Sequence, residues 1–410
     1  MNKNIIKTFH IKHISLCLML LFNIDAFSQY TLIPDENFEK KLISLGIDTG
    51  EPDGKVLTAV IKEITDLDLS RKMIDDNYSD SLPISDLSGI EGFTSLKKLN
   101  CSRNILTYLN LKANVNLTYL DCSFNFLKTL DVSENNNLNV LDCSKNYLQI
   151  LDVAKNNILS ELYCIANYLS ILDISNNKTL AKLNCSWNNL VTIDVKNNNN
   201  LTDLNCYGTK LKEIDITKNP LLKSFNCNWN ELKQINVSQN KYLKILNCDG
   251  NKLTLLDITK NKELIDLNCN DNYLTTIDIS KNKVLNLVSL NRNYFSNVDF
   301  SRNTALTELY IIGNKLEKID LSENLSLTTL YCENNNLQDL NLSKNGALRD
   351  INCKNNNLRI LNLKNNNNLK INVLNLKGNP DLKCIEVDDV SYIETIVTDF
   401  KNANYTTNCN

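Results

Sequence analysis

Eleven of the 14 cysteines in this 410-residue chain recur at one position of a repeated pattern, 21 residues or a multiple of 21 apart. Thiols at regular spacing suggest either a ladder of metal ligands or a chain of disulfides. However, Leu290 and Ile311 occupy the same position in two repeats, and a position that accepts them is a core position. Thiols in neighbouring parallel strands also lie about 4.7–4.9 Å apart, wider than the usual disulfide Cβ separation. We therefore predict buried packing residues that bind no metal: Cys101, Cys122, Cys143, Cys164, Cys185, Cys206, Cys227, Cys248, Cys269, Cys332 and Cys353.

A column of aspartates recurs in the second half of the same pattern, and stacked carboxylates suggest calcium binding or shifted pKa values. Its members are Asp131, Asp152, Asp173, Asp194, Asp215, Asp257, Asp278, Asp299 and Asp320. In water, repulsion between carboxylates at this spacing costs only about 1 kcal/mol, and nearby lysines such as Lys155 and Lys218 offset it. We expect a solvated acidic surface, with calcium binding as the alternative.

The histidines limit the remaining chemistry. The only two, His10 and His13, lie within residues 1–28, where lysines, an apolar run at 14–22 and the small-x-small sequence at 26–28 resemble an export signal. Once that segment is removed, no histidine remains for Ser-His-Asp or Cys-His catalysis, or for a zinc site with histidine ligands. We therefore predict an exported protein that is not an enzyme and uses no cofactor. Glycoside hydrolysis by carboxylates alone stays open.

The pattern itself is a unit of 21 residues, L-x-x-L-x-C-x-x-N-x-L-x-x-L-D-x-S-x-N-x-x, which repeats thirteen times over residues 96–368 without insertion or deletion. We number its positions 1–21, so that Leu96 and Leu117 stand at position 1. The asparagine at position 9 is replaced once, by Thr209, whereas the asparagine at position 19 occurs in every unit. A register this strict predicts a solenoid in which each unit forms one coil.

These residues resemble leucine-rich repeats, whose signature is L-x-x-L-x-L-x-x-N-x-L. The unit is most similar to the nested bacterial class called IRREKO, in which both halves echo the signature, and the flank at residues 84–96 is similar to an internalin-type repeat. The resemblance implies a leucine-rich-repeat solenoid of stacked parallel β-strands, mostly β with little helix and capped at both ends. It also implies a recognition role, because such relatives mostly bind proteins and less often glycans.

The physical basis of the pattern is the alternation of apolar residues, which places side chains on one face of a short strand. One coil cannot bury that face, but stacked coils bury a continuous core. An asparagine amide at each turn can satisfy the backbone groups where the strand ends. Because both halves of the unit carry the alternation, we expect a strand on each side of every coil.

The regions flanking the repeats predict caps, because a solenoid exposes its terminal coils. We expect a signal peptide at residues 1–28, an N-terminal cap at 29–63, the solenoid at 64–381 and a C-terminal cap at 382–410. In the N-terminal cap, Asp35 is predicted to cap a helix over residues 36–45 that stops at Gly46. This helix is expected to bury Phe38, Leu42 and Leu45.

The C-terminal cap is predicted to contain a last strand near Cys384 and Ile385, followed by a lid. The lid residues are Val390, Tyr392, Ile396 and Phe400. Cys384 and Cys409 lie outside the ladder, and disulfides persist in the oxidising environment outside the cytoplasm. We predict that these two cysteines form a disulfide.

Several aromatic side chains stand between the framework leucines of the first half, where residues are expected to point out of the sheet. They are Tyr119, Phe124, Tyr163, Trp187, Tyr207 and Trp229. The two tryptophans occupy the same position two coils apart, so about 10 Å separates them. Clustered exposed aromatics are typical of binding hot spots, although scattered ones are common on any protein surface. We predict that these six residues form the binding surface.

The function expected from these observations is recognition or adhesion outside the cytoplasm, by binding a protein or glycan at a cell surface through the strand face. The alternatives are a carbohydrate-active enzyme that uses paired carboxylates and a passive structural component of the cell envelope. A net charge of −3 provides no electrostatic reason to bind nucleic acid, and no apolar segment is long enough to span a membrane. We expect a monomer.

Overall fold

The computed structural model describes residues 29–71, 73–74, 77–78, 82–391 and 404–409. The predicted signal peptide lies outside the described residues, and so do three predicted lid residues, Tyr392, Ile396 and Phe400. The fourth, Val390, is 44% exposed. None of the described helices is long and apolar enough to cross a membrane.

The described part of the chain begins, at residue 29, with a small α/β cap. Strand β1 (Tyr30–Leu32) pairs antiparallel with β2 (Lys55–Leu57). Helix α1 (Glu36–Ser44) follows β1, and helix α2 (Thr58–Ile61) follows β2. The next strands are β3 (Asp66–Asp68) and a short antiparallel pair, β4 (Met73–Ile74) and β5 (Asn77–Tyr78). Single 3-10 turns occur at Ile90–Gly92 and Asn368–Lys370.

Helix α1 begins as predicted but ends one residue early. Asp35 caps it, because its Oδ1 accepts hydrogen bonds from the backbone N–H groups of Asn37 and Phe38 at 2.9 and 3.0 Å. The prediction that Leu45 is buried is wrong, since 44% of this residue is exposed. The helix turns at Gly46, whose φ of +71° is the left-handed conformation that ends many helices. Leu45 is the C-cap residue of the helix and stays largely outside the core that Phe38 and Leu42 enter.

The solenoid is built on one parallel sheet of 15 strands, which contains one strand from each coil. Neighbouring strands pair in register, so that Leu99 lies opposite Leu120 and Leu120 opposite Leu141. After β3, its strands are β6 (Lys98–Asn100), β7 (Tyr119–Asp121), β8 (Val140–Asp142), β9 (Glu161–Tyr163), β10 (Lys182–Asn184), β11 (Asp203–Asn205), β12 (Ser224–Asn226), β13 (Ile245–Asn247), β14 (Asp266–Asn268), β15 (Leu287–Ser289), β16 (Glu308–Tyr310), β17 (Thr329–Tyr331), β19 (Asp350–Asn352) and β21 (Val373–Asn375). The predicted leucine-rich-repeat solenoid, mostly β with little helix, is confirmed.

The second half of the unit forms strands only near the C-terminus. There, β18 (Asp339–Asn341), β20 (Ile360–Asn362), β22 (Cys384–Glu386) and β23 (Asn404–Thr406) make a parallel sheet of four strands. Within the described residues, the earlier coils have no strand on this side, so the prediction of a strand on both sides of every coil is wrong. The cap disulfide predicted from sequence lies here, since Cys384 and Cys409 are bonded in the structure.

The hydrogen bonds between coils explain this difference between the two sides. Where the second-half sheet forms, the Arg359 N–H donates to the Gln338 carbonyl at 2.7 Å. In earlier coils the corresponding bonds are long: the Lys212 N–H donates to the Val191 carbonyl at 3.3 Å, and the Gln338 N–H donates to the Glu317 carbonyl at 3.4 Å. Neighbouring backbones on this side are therefore at the limit of hydrogen-bonding distance, and a regular ladder does not form.

The core runs the length of the stack between these two sides. All eleven ladder cysteines are fully buried, as are Leu290 and Ile311 at the same position. Burial disfavours the charged thiolate and raises the pKa of each of these thiols, to about 12 for Cys185 and Cys353. Buried, protonated thiols behave as small apolar side chains, which agrees with the packing role predicted for the ladder.

Candidate binding surface

The asparagine at position 9 shapes the turn that follows each strand of the large sheet. The Nδ2 group of Asn125 donates to the carbonyls of Cys101 and Cys122 at 3.0 and 3.1 Å, and its Oδ1 accepts from the Leu106 N–H at 3.0 Å. One buried amide thus satisfies backbone groups in two consecutive coils. Because position 9 points inward, the side chains at positions 8 and 10 point to solvent on either side of it.

Position 8 has left-handed backbone geometry along the stack. The φ angle is +55° at Phe124 and Trp187 and +52° at Trp229, close to the +59° and +61° of Gly208 and Gly250 at the same position. A bulky residue in this conformation costs about 1–2 kcal/mol relative to ordinary backbone geometry. The surrounding hydrogen bonds therefore hold these aromatic residues in an unfavourable conformation, and in it their side chains remain outside the core.

The six aromatic residues predicted from sequence do not all lie on the sheet. Tyr119 is in β7 and Tyr163 is in β9, whereas Phe124, Trp187 and Trp229 lie three residues beyond the ends of their strands, in the left-handed turn. The sequence predicted that all six side chains point out of the sheet. In the turn, however, the direction of a side chain is set by the left-handed backbone rather than by the alternation of a strand. Tyr207 stands one residue before this turn position and packs edge-on against Trp187, with ring centroids 4.9 Å apart.

On the strand face, tyrosines pair with acidic neighbours in the same strand. The Tyr163 hydroxyl donates to Glu161 at 2.7 Å, and the Tyr310 hydroxyl donates to Glu308 at 2.8 Å. Partial burial, together with the carboxylate that stabilises the protonated phenol, raises the pKa of both tyrosines, to about 12 for Tyr310. These rings are anchored side chains, which reduces the entropy lost when a partner binds them.

A row of aromatic residues at position 10 was missed from the sequence. Phe126, Tyr147 and Tyr168 come from three consecutive coils, and their rings stack with centroids 5.8 and 6.0 Å apart and planes 10–12° from parallel. Beside them at position 8, the Phe124 ring has the Arg103 guanidinium at 4.2 Å and the Lys145 ammonium at 4.5 Å. The sequence signal that could have revealed this row is an aromatic residue at the same position in three successive units.

These residues line an open groove of about 620 Å³ on the N-terminal coils. Its sides are the side chains at positions 8 and 10, and buried position-9 asparagines such as Asn125 and Asn146 lie between them. Trp187 stands at its C-terminal end. We call Phe124, Phe126, Tyr147 and Tyr168 the N-terminal turn row. A groove of this size with aromatic walls can accept several side chains of a partner protein.

The aspartate column on the second-half side has a structural role in its turns. Asp131 Oδ1 accepts hydrogen bonds from the N–H and hydroxyl of Ser133 at 3.0 and 2.7 Å, and Asp215 and Thr217 repeat the arrangement. These bonds lower the pKa of both carboxyl groups, which stay exposed and charged. Among the described residues, no group of three or more His, Cys, Asp or Glu side chains is placed to hold a metal ion.

A pair of interacting carboxylates outside that column is formed by Asp249 and Asp271. Burial first, and then the neighbouring Asp271 carboxylate, raises the pKa of Asp249 to about 6, while Asp271 forms a salt bridge with Arg292.

Comparison with solved structures places the chain among internalin-like leucine-rich-repeat proteins. It is 30% identical to the functional domain of InlJ from Listeria monocytogenes, which includes a cysteine ladder, with a TM-score of 0.72 over 92% of this chain and 81% of that one. An internalin from the same organism, inlF, is 19% identical over 92% and 96% of the two chains, with a TM-score of 0.55. The plant peptide hormone receptor RGFR1, in complex with RGF2, is 20% identical over 76% and 63%, with a TM-score of 0.57. Neither a protein-family profile nor a curated protein sequence matches the chain.

Proposed function

Because this chain belongs to the internalin-like leucine-rich-repeat proteins, we propose that it is a non-enzymatic recognition module that binds a protein outside the cytoplasm. The observation that carries this proposal is the continuous N-terminal turn row, with its groove of about 620 Å³. Exposed aromatic residues that stand together on a rigid scaffold concentrate binding energy, because each one removes a large apolar area from water when a partner covers it. Peptide binding by a plant receptor of the same fold is consistent with the proposal.

The proposed contact surface extends from the turn row across the adjoining strand face. Tyr119 and Tyr163 contribute on the strands, and Tyr207 joins the two surfaces beside Trp187. The coil-to-coil hydrogen bonds hold these groups in place before a partner arrives, so little conformational entropy is lost on binding. Export through residues 1–28 is part of the proposal, and Edman or mass-spectrometric detection of a secreted chain that begins at Gln29 would test it.

Affinity measurements on matched variants test the proposed surface. The mature protein is used to select binders from a displayed library of surface-protein ectodomains, and each binder is then titrated against Tyr147→Ala and Phe126→Ala. We expect a loss of about 2 kcal/mol or more per substitution, roughly thirtyfold in Kd, as for a central hot spot. The matched control is Tyr273→Ala, because Tyr273 stacks on Tyr294 at position 10 in the same way, with ring centroids 6.2 Å apart. If Tyr147→Ala, Phe126→Ala and Tyr273→Ala all fold and bind the selected partner with equal affinity, the proposal is contradicted.

A further inference from the structure

Position 8 holds tryptophan and glycine in strict alternation over four consecutive coils: Trp187, Gly208, Trp229 and Gly250. Each indole lies on the glycine of the next coil. A Cβ added to Gly208 would stand 3.2 Å from Trp187 Cε3, and one added to Gly250 would stand 3.0 Å from Trp229 Cδ2. Other position-8 residues share this left-handed backbone, so what distinguishes these two glycines is the close approach of the ring, which a Cβ would have to displace.

The contact is made by the face of each indole rather than by its edge. Three ring atoms of Trp187 lie 3.2–3.4 Å from the Cβ position of Gly208, and three of Trp229 lie 3.0–3.4 Å from that of Gly250. The two residues remain 57% and 56% exposed although one face of each ring is covered, so we infer that the exposed area lies mainly on the opposite face, which we call the open face. With strands about 4.7–4.9 Å apart, two coils separate the open faces by about 10 Å along the stack.

Polar side chains border these open faces, in contrast to the N-terminal turn row. On the position-10 side, Lys210 donates to Asn189 at 2.8 Å, and Lys252 forms a salt bridge with Glu231 at 2.9 Å. On the position-7 side, half-buried hydrogen-bonding residues stand in the same coils: Tyr207, Asn228 and Asp249. Where the N-terminal coils place stacked rings at position 10, these coils place hydrogen-bonding groups.

Flat apolar faces with polar borders match the chemistry of a sugar ring. A pyranose presents C–H groups on its ring faces and hydroxyl groups around its edge, so an aromatic face covers the first and amides, carboxylates or ammonium groups bind the second. A β-1,4-linked chain is extended and repeats its ring orientation every second sugar, a length close to that of two coils. An α-1,4-linked chain coils, and it does not keep two ring faces in line at that distance.

We propose that Trp187 and Trp229 form a platform for an extended β-1,4-linked hexopyranose chain that runs along the solenoid. One sugar stacks on the open face of each indole, and one further sugar connects these two. The platform is a second site that shares only Trp187 and Tyr207 with the edge of the protein-binding surface. Trp229 belongs to the platform alone and Tyr147 to the N-terminal turn row alone, so variants at these two residues test the two proposals separately.

Tryptophan fluorescence tests the platform directly, because Trp187 and Trp229 are the only tryptophans in the chain. The mature protein is titrated with a β-1,4-linked glucose hexamer and with a β-1,4-linked N-acetylglucosamine hexamer, and the α-1,4-linked glucose hexamer serves as the comparison. We expect a saturable change in emission with at least one β-linked hexamer, at least tenfold tighter than with the α-linked one. Dimers of the same sugars should bind at least tenfold more weakly than hexamers, because a dimer cannot reach both rings.

Two kinds of variant separate stacking from other contacts. Trp229→Ala should weaken binding of the β-linked hexamer at least tenfold, measured by calorimetry. Gly208→Asn retains both tryptophans, and asparagine tolerates the left-handed backbone at this position. Its Cβ displaces the Trp187 ring, however, so this variant should also weaken binding of the β-linked hexamer. Tyr147→Ala in the N-terminal turn row should leave glycan affinity unchanged.

The proposal is overturned if neither β-linked hexamer changes the emission at millimolar concentration, if the α-linked hexamer binds equally well, or if Trp229→Ala binds normally. A platform that binds only protein ligands would produce the first of these results.

Discussion

Positions 9 and 19 of the unit both carry a buried asparagine, and in both columns the Nδ2 group donates to a carbonyl 24 residues earlier in the chain. Asn125 does so to Cys101 at 3.0 Å, and Asn135 does so to Leu111 at 3.0 Å. The two columns differ in the hydrogen bonding of the amide oxygen, Oδ1. Asn125 Oδ1 accepts from the Leu106 N–H, whereas Asn135 Oδ1 is buried and has no hydrogen-bond partner in the described structure.

This difference follows the two sides of the solenoid. Twelve position-19 asparagines, from Asn114 to Asn345, share the unpartnered oxygen. On the first-half side, the sheet and the position-9 amides both connect neighbouring coils. On the second-half side, the sheet is missing from most coils, and the connection between coils rests mainly on the Nδ2 groups. The same residue, equally buried and in the same repeat, therefore stabilises two sides that are organised differently.

The largest expected effect concerns the one place where the second-half side forms a sheet. Replacing both Cys384 and Cys409 with serine should lower the free energy of unfolding of the C-terminal cap by about 3–4 kcal/mol, because the disulfide closes a loop of roughly 25 residues in the unfolded chain. Thermal unfolding with and without reductant measures this. Reductant should have no effect on the double variant, and peptide mapping without reduction that finds two free thiols would contradict the disulfide.

The next effect compares the two asparagine columns directly. Asn146→Ala leaves the Leu127 N–H and the Cys122 carbonyl without their side-chain partner, and we expect a loss of about 3 kcal/mol. Asn156→Ala removes donors to the carbonyls of Val132 and Asn135 but also removes an unpartnered oxygen, so we expect about 2 kcal/mol or less. Urea midpoints of the two variants decide the order, and an equal or larger loss for Asn156→Ala would show that the Oδ1 atoms of this column have partners.

A smaller effect is expected in the cysteine ladder, which packs inside the coil beside the large sheet. Cys185→Val replaces a fully buried thiol by a side chain of similar volume, so the loss should not exceed about 1–1.5 kcal/mol. All eleven ladder thiols should react with a thiol reagent after denaturation without reductant. Stoichiometric bound metal, or a loss well above this range, would refute the packing role.

The smallest effect is a gain. Thr209 interrupts the position-9 column, and its hydroxyl lies 3.0 Å from the Cys206 carbonyl and 2.7 Å from Asn230 Oδ1. It has no carboxamide oxygen to accept from the Leu190 N–H, as Asn188 does for Leu169. Thr209→Asn should therefore raise the free energy of unfolding by about 1 kcal/mol, measured by urea unfolding. A destabilised variant would mean that the surrounding turn has adapted to threonine.

Most of the fold could be predicted from the sequence, because each coil repeats the same short-range pattern. The spacing of leucines and cysteines determined which side chains are buried, and Leu290 at a cysteine position identified the ladder as packing. Asp35 at the start of an amphipathic segment predicted the first helix, since a helix cap depends on local residues alone. The candidate site was only partly predictable: of the six aromatics predicted from sequence only Trp187 and Trp229 are exposed and the other four are half-buried, and the row at position 10 was missed.

The tertiary structure decided what depends on distances between coils. Both halves of the unit have the alternation of a strand, but a ladder forms only where backbone N–H and C=O groups of neighbouring coils bring nitrogen and oxygen within about 3 Å. Sequence periodicity carries no information about that distance. The same limit applies to the aromatic residues. Residue type showed that Trp187 and Trp229 were exposed candidates, whereas their support on Gly208 and Gly250 depends on how one coil is placed over the next. The sequence by itself determined a stacked solenoid with an apolar interior, and the packing between coils determined which of its surfaces are sheet, turn row or platform.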